Sequence, residues 1–347
     1  GDRYGREIEL DYSININPLG MPEESKRAAR EAVLFSDRYP DPYCRELIRG
    51  IRDFEGTTDQ TEILTGNGAA ELIYALCRAI PAGRALLMAP SFQEYENALE
   101  AAGHPCEFLY LKEENNFVLP LQELLLRITE ETNLVFLCNP GNPTGTVTGK
   151  AELVRLAERC EETKTFLCVD ECFLPFLPGE PALSMKGETV RFPHLAVLRA
   201  FTKVYGMPGL RLGYLMTGNR ELAGRLKEKL PPWNVSLPAQ LAGAAALKAE
   251  GYLEKTRELI RGEKEKLVSL LLETVADRVY PGSANFLLFH GREGLKEALL
   301  DRKILIRDCS NFKGLSRGYY RICIRTQEEN ERLKEILYSL AGKEAGK

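Results

Sequence analysis

Leu198-Arg199-Ala200-Phe201-Thr202-Lys203-Val204-Tyr205-Gly206-Met207-Pro208-Gly209-Leu210-Arg211-Leu212-Gly213-Tyr214 is the stretch on which the reading of this chain turns. An apolar run at 195–199 feeds into it and another at 212–217 leaves it. Lys203 comes just after the first run, a Gly/Pro-rich loop follows, and Arg211 lies eight positions on. That spacing can place an amine and a guanidinium around one anionic ligand. Taken alone, the pair also fits two surface cations beside a turn, and the rest of the chain must decide.

Outward from this stretch, short apolar runs alternate with longer amphipathic ones from about residue 60, the pattern of a parallel sheet covered by helices. Strands are expected at 62–65, 85–89, 107–111, 134–138, 165–169, 195–199 and 212–217, with helices starting near Gly68, Phe92, Leu121 and Gly149. Beyond Pro238 a stretch rich in Ala, Leu, Lys and Glu reads as helix to about Ala276, interrupted near Gly251. Strands at 286–289, 304–307 and 320–324 and a closing helix from Glu328 then form a smaller α+β unit. The expected organisation is an N-terminal arm and part of the small domain at 1–38, a large ligand-binding domain at 39–238 and a small C-terminal domain at 239–347.

The 347 residues carry 44% hydrophobic and 28% charged side chains and a formal net charge of −4. A mildly acidic chain lacks the basic field that nucleic-acid binding needs. No apolar run approaches the roughly 18–20 residues of a membrane span. The nine cysteines are odd in number, scattered and without a CxxC pair, which argues against a disulfide framework or zinc knuckle and for reduced thiols in a cytoplasmic protein. His104, His194 and His290 do not cluster with acids at ligand spacing, so no metal is assigned.

Three further segments carry chemistry. Asn139-Pro140-Gly141-Asn142-Pro143-Thr144-Gly145 is a compact loop after an apolar strand, able to aim Asn142 at a ligand beyond the strand end. In Phe166-Leu167-Cys168-Val169-Asp170-Glu171 a carboxylate terminates a strand at the same edge, where a helix cap is the plainer alternative. Thr65-Gly66-Asn67-Gly68-Ala69-Ala70-Glu71 joins strand to helix through small residues, and free amides at such a helix start suit a phosphate. Neither a Walker lysine pattern nor a dinucleotide fingerprint is present.

In order and spacing, these four segments resemble the fold-type-I pyridoxal-phosphate enzymes related to aspartate and histidinol-phosphate aminotransferases, over nearly the whole chain. The resemblance implies an α/β fold with a mostly parallel seven-stranded sheet in the large domain, and pyridoxal 5′-phosphate as cofactor. It implies that Lys203 holds the cofactor as a Schiff base and that Asp170 keeps the pyridine nitrogen protonated. Asn142 would bond the ring hydroxyl, Phe92 would stack on the ring, and Arg211 with the Gly68–Ala70 turn, through the amides of Ala69 and Ala70, would grip the phosphate. Tyr39 would reach the phosphate in a neighbouring subunit, implying a homodimer with shared sites. Phe173 stands where many relatives carry a tyrosine, leaving the ring hydroxyl to Asn142. Ala200 lacks a hydroxyl common in the family, a gap that Thr202 or water would fill.

Within the family, Leu10-Asp11-Tyr12-Ser13-Ile14-Asn15-Ile16-Asn17-Pro18-Leu19-Gly20 resembles the threonine-phosphate decarboxylase branch, which serves cobalamin biosynthesis. The segments 305–312 and 320–326 point the same way. This resemblance implies decarboxylation of a small phosphorylated amino acid, with Arg321 on its carboxylate, Arg307 and Arg325 as candidates for its phosphate, and Asn17 and Tyr205 lining the pocket. Rival readings are a histidinol-phosphate-type aminotransferase, a decarboxylase of phosphoserine, and a catalytically silent relative.

Overall fold

All seven apolar runs between residues 62 and 217 become strands of one sheet in a computed structural model, which describes residues 5–342. After a short strand β1 (Leu10–Asp11), the chain forms β2 (Glu62–Asn67), β3 (Arg84–Ala89), β4 (Cys106–Tyr110), β5 (Thr132–Cys138), β6 (Phe166–Asp170), β7 (Leu195–Ala200) and β8 (Leu212–Thr217). The sheet order is β2-β8-β7-β6-β5-β3-β4. Only β8 runs against its neighbours, β2 and β7. The central strands read as near-continuous apolar runs because both faces are covered; every residue of β7 is buried.

A second sheet is antiparallel, β12 (Arg307–Asp308), β13 (Tyr319–Cys323), β10 (Phe286–Gly291) and β9 (Ala276–Val279) in spatial order. The single strand expected at 304–307 is two strands. β11 (Ile304–Leu305) pairs in parallel with β1, while Arg307 and Asp308 pair with β13, so the chain changes partner at Ile306. The N-terminal segment is thereby stitched to the C-terminal region. Helices also lie where the periodicity was left unread, among them Arg220–Lys229, Glu23–Val33, which packs on Leu237–Ala246, and Arg45–Glu55. The last buries Leu47, Ile51 and Glu55, one face at i, i+4, i+8 spacing. The long helical stretch is Leu237–Ala246 followed by Tyr252–Thr274, broken at Gly251 as expected.

One charged cluster is entirely internal. Arg199 on β7 is 2% exposed and donates to Glu55 (3.1 Å), Glu171 (2.8 Å), Ser184 (3.0 Å) and Glu180. Lys186 and Tyr214 also donate to Glu55, and the amide of Met185 to Glu171 at 2.7 Å. These bonds tie the ends of β6 and β7 together, next to the positions of Asp170 and Lys203.

Candidate active site

The carboxyl ends of β2, β5, β6 and β7 and the start of β8 meet at one edge of the large sheet. Register fixes this: Cys138 lies opposite Asp170, Asn67 opposite Leu212 and Ala200 opposite Gly213. A cavity of about 370 Å³ opens there, where open α/β sheets place their ligands. Lys203, Asp170, Asn142, Phe92, Phe173, Thr202, Ala69, Ala70, Arg211, Arg307 and Arg321 all line it, although they come from segments scattered over more than 250 residues.

At one end sits an anion cradle. The helix Gly68–Ala79 begins there, and its first-turn amides have no partner within the helix. Gly68 has φ +78°, and a Cβ on it would run into the Arg211 guanidinium. Gly213 is as constrained, since a Cβ would come within 2.6 Å of the Ala69 nitrogen. Small residues therefore let Arg211 lie against the helix start, giving a cation and free amides facing one point.

Lys203 stands on the short helix Phe201–Val204 directly after β7. Burial lowers its pKa to about 8, with the Arg321 and Arg211 charges adding to the shift. No carboxylate pairs with it among the described residues, so near neutral pH about a tenth of the amine is unprotonated and nucleophilic, far more than for an ordinary lysine.

Asp170 is the converse, a buried carboxylate, 5% exposed, with no cationic partner in bonding contact among the described residues. It accepts from the Cys172 amide (2.9 Å) and the Tyr95 hydroxyl (2.6 Å). Burial raises its pKa and those bonds oppose the rise. A buried anion without a counterion is costly unless a ligand supplies the charge.

Arg321 and Arg307 are direct partners across β13 and β12. Arg321 donates to Asn142 Oδ1 and to the Ser13 carbonyl (3.0 Å), lies over the Phe286 ring, and has its Nε buried without a partner. Asn142 thus keeps its amide nitrogen as a donor toward the cavity. Arg307 donates to Asn311 at 2.8 Å and lies over Phe312. No carboxylate neutralises either arginine among the described residues.

Phosphate cradle, nucleophilic amine, unpaired carboxylate and the Phe92 ring together fit a phosphorylated aldehyde with a cationic aromatic ring, the group the sequence resemblance implies.

Three of the residues expected at this cavity lie elsewhere, and Tyr39, expected at a neighbouring subunit's, stands away from it too. Arg325 is off the cavity and ion-paired with Glu329, whose carboxylate also closes a capping box with Thr326. Asn17 is fully committed to the Val204 carbonyl (2.7 Å), Thr256 (2.8 Å) and the Leu19 amide (2.9 Å). Tyr205 packs between Phe201 and Tyr252. Tyr39 is 82% exposed and leans on Trp233, 4.9 Å between ring centroids. Asn15 takes the place expected of Asn17: it lines the cavity, 2% exposed, with Oδ1 unpartnered. A tight turn, Ile16 amide to Ile14 carbonyl at 3.0 Å, breaks the alternation that would otherwise put both asparagines on one side. Tyr95 was also missed; its spacing of three from Phe92 at a helix start was the available signal.

Comparison with known proteins follows the same outline. The aminotransferase class I and II family matches residues 7–337. A threonine-phosphate decarboxylase of Salmonella typhimurium is 37% identical over 94% of this chain and 90% of its own length. An adenosylcobalamin biosynthesis bifunctional protein of Leptospira interrogans is 32% identical over 93% of this chain and 38% of its own. Among solved structures, the histidinol-phosphate aminotransferase of Clostridium acetobutylicum superposes with a TM-score of 0.89 at 32% identity, covering 96% of this chain and 99% of that one.

Proposed function

The chain belongs to the class I and II aminotransferase family, and on that premise we propose that it is a pyridoxal-phosphate-dependent lyase that decarboxylates L-threonine O-3-phosphate to (R)-1-amino-2-propanol phosphate in cobalamin biosynthesis. The observation that carries the substrate class is the Arg307–Arg321 pair, two adjacent guanidiniums without carboxylate partners among the described residues, facing a cavity that also holds a separate phosphate cradle. One cradle serves the cofactor, so the paired arginines answer to a substrate with two anionic groups of its own.

When bound, pyridoxal phosphate supplies an aldehyde for an amine and a protonated ring that accepts the electrons of a breaking bond at the α-carbon. Lys203 is the residue to hold it covalently, Asp170 to face the ring nitrogen, Asn142 the ring hydroxyl, Phe92 and Phe173 the ring, and Arg211 with the Gly68–Ala70 turn and Thr202 the phosphate. Arg321, itself fixed by Asn142 and Ser13, grips the substrate carboxylate and so sets which α-carbon bond stands perpendicular to the ring. Arg307 takes the phosphate, with Asn15 Oδ1 accepting from the substrate amine. Lys203, once displaced, donates a proton to the α-carbon from its place in the cavity.

We assign the exposed Tyr39 to the phosphate cradle of a second copy. Val33, Leu34, Phe35, Tyr43 and Trp233 are exposed around the same segment and give that copy an apolar face. Sedimentation at twice the chain mass is the expected result, and a monomer at micromolar concentration contradicts it. No helix among the described residues is long and apolar enough to cross a membrane. All nine cysteines are free thiols, and we place the protein in the cytoplasm.

The reaction is tested by giving cofactor-loaded protein phosphothreonine with no keto acid. Carbon dioxide released over many turnovers supports decarboxylation. Conversion of the cofactor to its amine form without carbon dioxide favours an aminotransferase instead, and faster turnover of phosphoserine moves the substrate to that compound.

A further inference from the structure

Asp170 is held by an unusual choice of partner for a buried carboxylate. Its Oδ1 accepts from the Cys172 amide at 2.9 Å, and its Oδ2 from the Tyr95 hydroxyl at 2.6 Å. Tyr95 is 1% exposed, its ring stacked on Phe136 (4.9 Å, 9° between planes) and met edge-on by Phe92 (5.5 Å, 86°). This packing holds the phenol against Asp170.

Resting on the cofactor reading above, we propose that Tyr95 is a positioning residue that keeps the shared proton on the cofactor's ring nitrogen by weakening Asp170 as a base. A donor aimed at a carboxylate stabilises its ionised form and lowers its proton affinity. In a hydrogen bond between ring nitrogen and carboxylate, the proton rests on the stronger base. With Tyr95 donating, that base is the nitrogen; without it, Asp170 competes for the proton and the ring loses the positive charge that draws electrons from the α-carbon. A lysine or arginine in place of Tyr95 would neutralise Asp170 outright, whereas a neutral phenol leaves its charge for the ring.

One other side chain shares this role, the Cys172 thiol, which also bonds Asp170 and lowers its pKa but is a weak donor beside a phenol. Cys138 on β5, Cys168 on β6 and Cys172 after it face Asp170, and burial pushes all three thiols up, so they stay neutral. Burial and the Asp170 charge likewise hold the Tyr95 phenol well above its ordinary value, so it remains the donor. Glu171 points away into the Arg199 cluster. Lys203, Arg211, Arg307 and Arg321 are the cations around the cavity that Asp170 faces, and none makes a salt bridge with it among the described residues.

The test replaces Tyr95 by Phe, which keeps the ring packing, and, in a second protein, by site-specifically incorporated 3,5-difluorotyrosine, a stronger donor of nearly the same shape. The first readout needs no cofactor: the ¹³C signal of the Asp170 carboxyl carbon in apoprotein, identified by its loss in Asp170→Asn. Its titration is expected to move up by about one pH unit in Tyr95→Phe and down in the fluorinated protein. The second is the ¹⁵N shift of labelled cofactor in the holoprotein, expected to move toward unprotonated pyridine in Tyr95→Phe only. Turnover should fall about tenfold with KM for phosphothreonine within about twofold. An Asp170 titration that ignores both replacements overturns the proposal and leaves Tyr95 a packing residue. Should Asp170→Asn itself retain full turnover, the cofactor reading fails instead, so the two failures are distinct.

Discussion

Two groups of buried charge lie side by side at the ends of β6 and β7, and they are built on opposite plans. Around Arg199, each guanidinium nitrogen meets an acceptor, and Glu55 and Glu171 are matched by Lys186, Tyr214, Ser184 and Met185. In the cavity, one residue away from Glu171 and four from Arg199, Lys203 has no carboxylate, Asp170 no cation, and Arg321 Nε and Asn15 Oδ1 no partner among the described residues. Desolvated charge is tolerable when it is paired, and an unpaired set persists because ligands complete it. The first cluster belongs to stability and the second to function.

The largest expected effect follows from the unpaired set. Lys203→Ala should cut phosphothreonine turnover by at least about 10³-fold, within the range a positioned acid–base group supplies. The apoprotein should lose no melting temperature, since no partner is orphaned and the penalty for burying a charged amine is removed. A large loss of stability would mean that Lys203 is structural after all.

Much of this contrast was legible beforehand, and its limits are instructive. Lys203, Asp170, Asn142 and Arg211 stand in fixed relation to strand ends, and strand ends are what apolar periodicity marks best. The Arg199 cluster was invisible: Glu55 sits on a helix unread at 45–55, and its partner is 144 residues away. Arg307 and Arg325 looked alike, because alternation along a strand does not reveal that Glu329, one helical turn on, has taken the second of them. The asparagines failed for a local reason, the tight turn at Ile14–Ile16.

Next in size is the paired cluster. Arg199→Met leaves Glu171 and Glu180 buried without their cation and Glu55 with Lys186 alone, and should cost about 3–5 kcal/mol in chemical unfolding of the apoprotein. Per folded molecule, cofactor affinity should stay within a few-fold. A cost below about 1 kcal/mol would erase the distinction between the two clusters.

The arginines sharpen the comparison within one strand neighbourhood. Arg307→Ala removes charge-assisted bonds of about 1.5–3 kcal/mol, so KM for phosphothreonine should rise roughly ten- to hundredfold. Arg325→Ala should change KM less than about twofold and show instead as a modest loss of stability. The reverse pattern would return the substrate phosphate to Arg325.

The smallest effect is a matter of pH. Only the neutral amine reacts, so reductive methylation of Lys203 in the apoprotein should rise through about pH 8, where an ordinary lysine still waits for about 10.5. The linked stability has a definite sign. The folded form releases this proton at about 8 and the unfolded chain at about 10.5, so the penalty for burying Lys203 is full below pH 8 and fades between those values. Lys203→Met should abolish that rise.

Borohydride reduction of the cofactor-loaded protein, followed by peptide mapping, bears most directly on whether the cavity's partnerless amine is the one that matters. A single phosphopyridoxyl label on Lys203 is the predicted result. Label on any other lysine, with Lys203 unmodified, would contradict it.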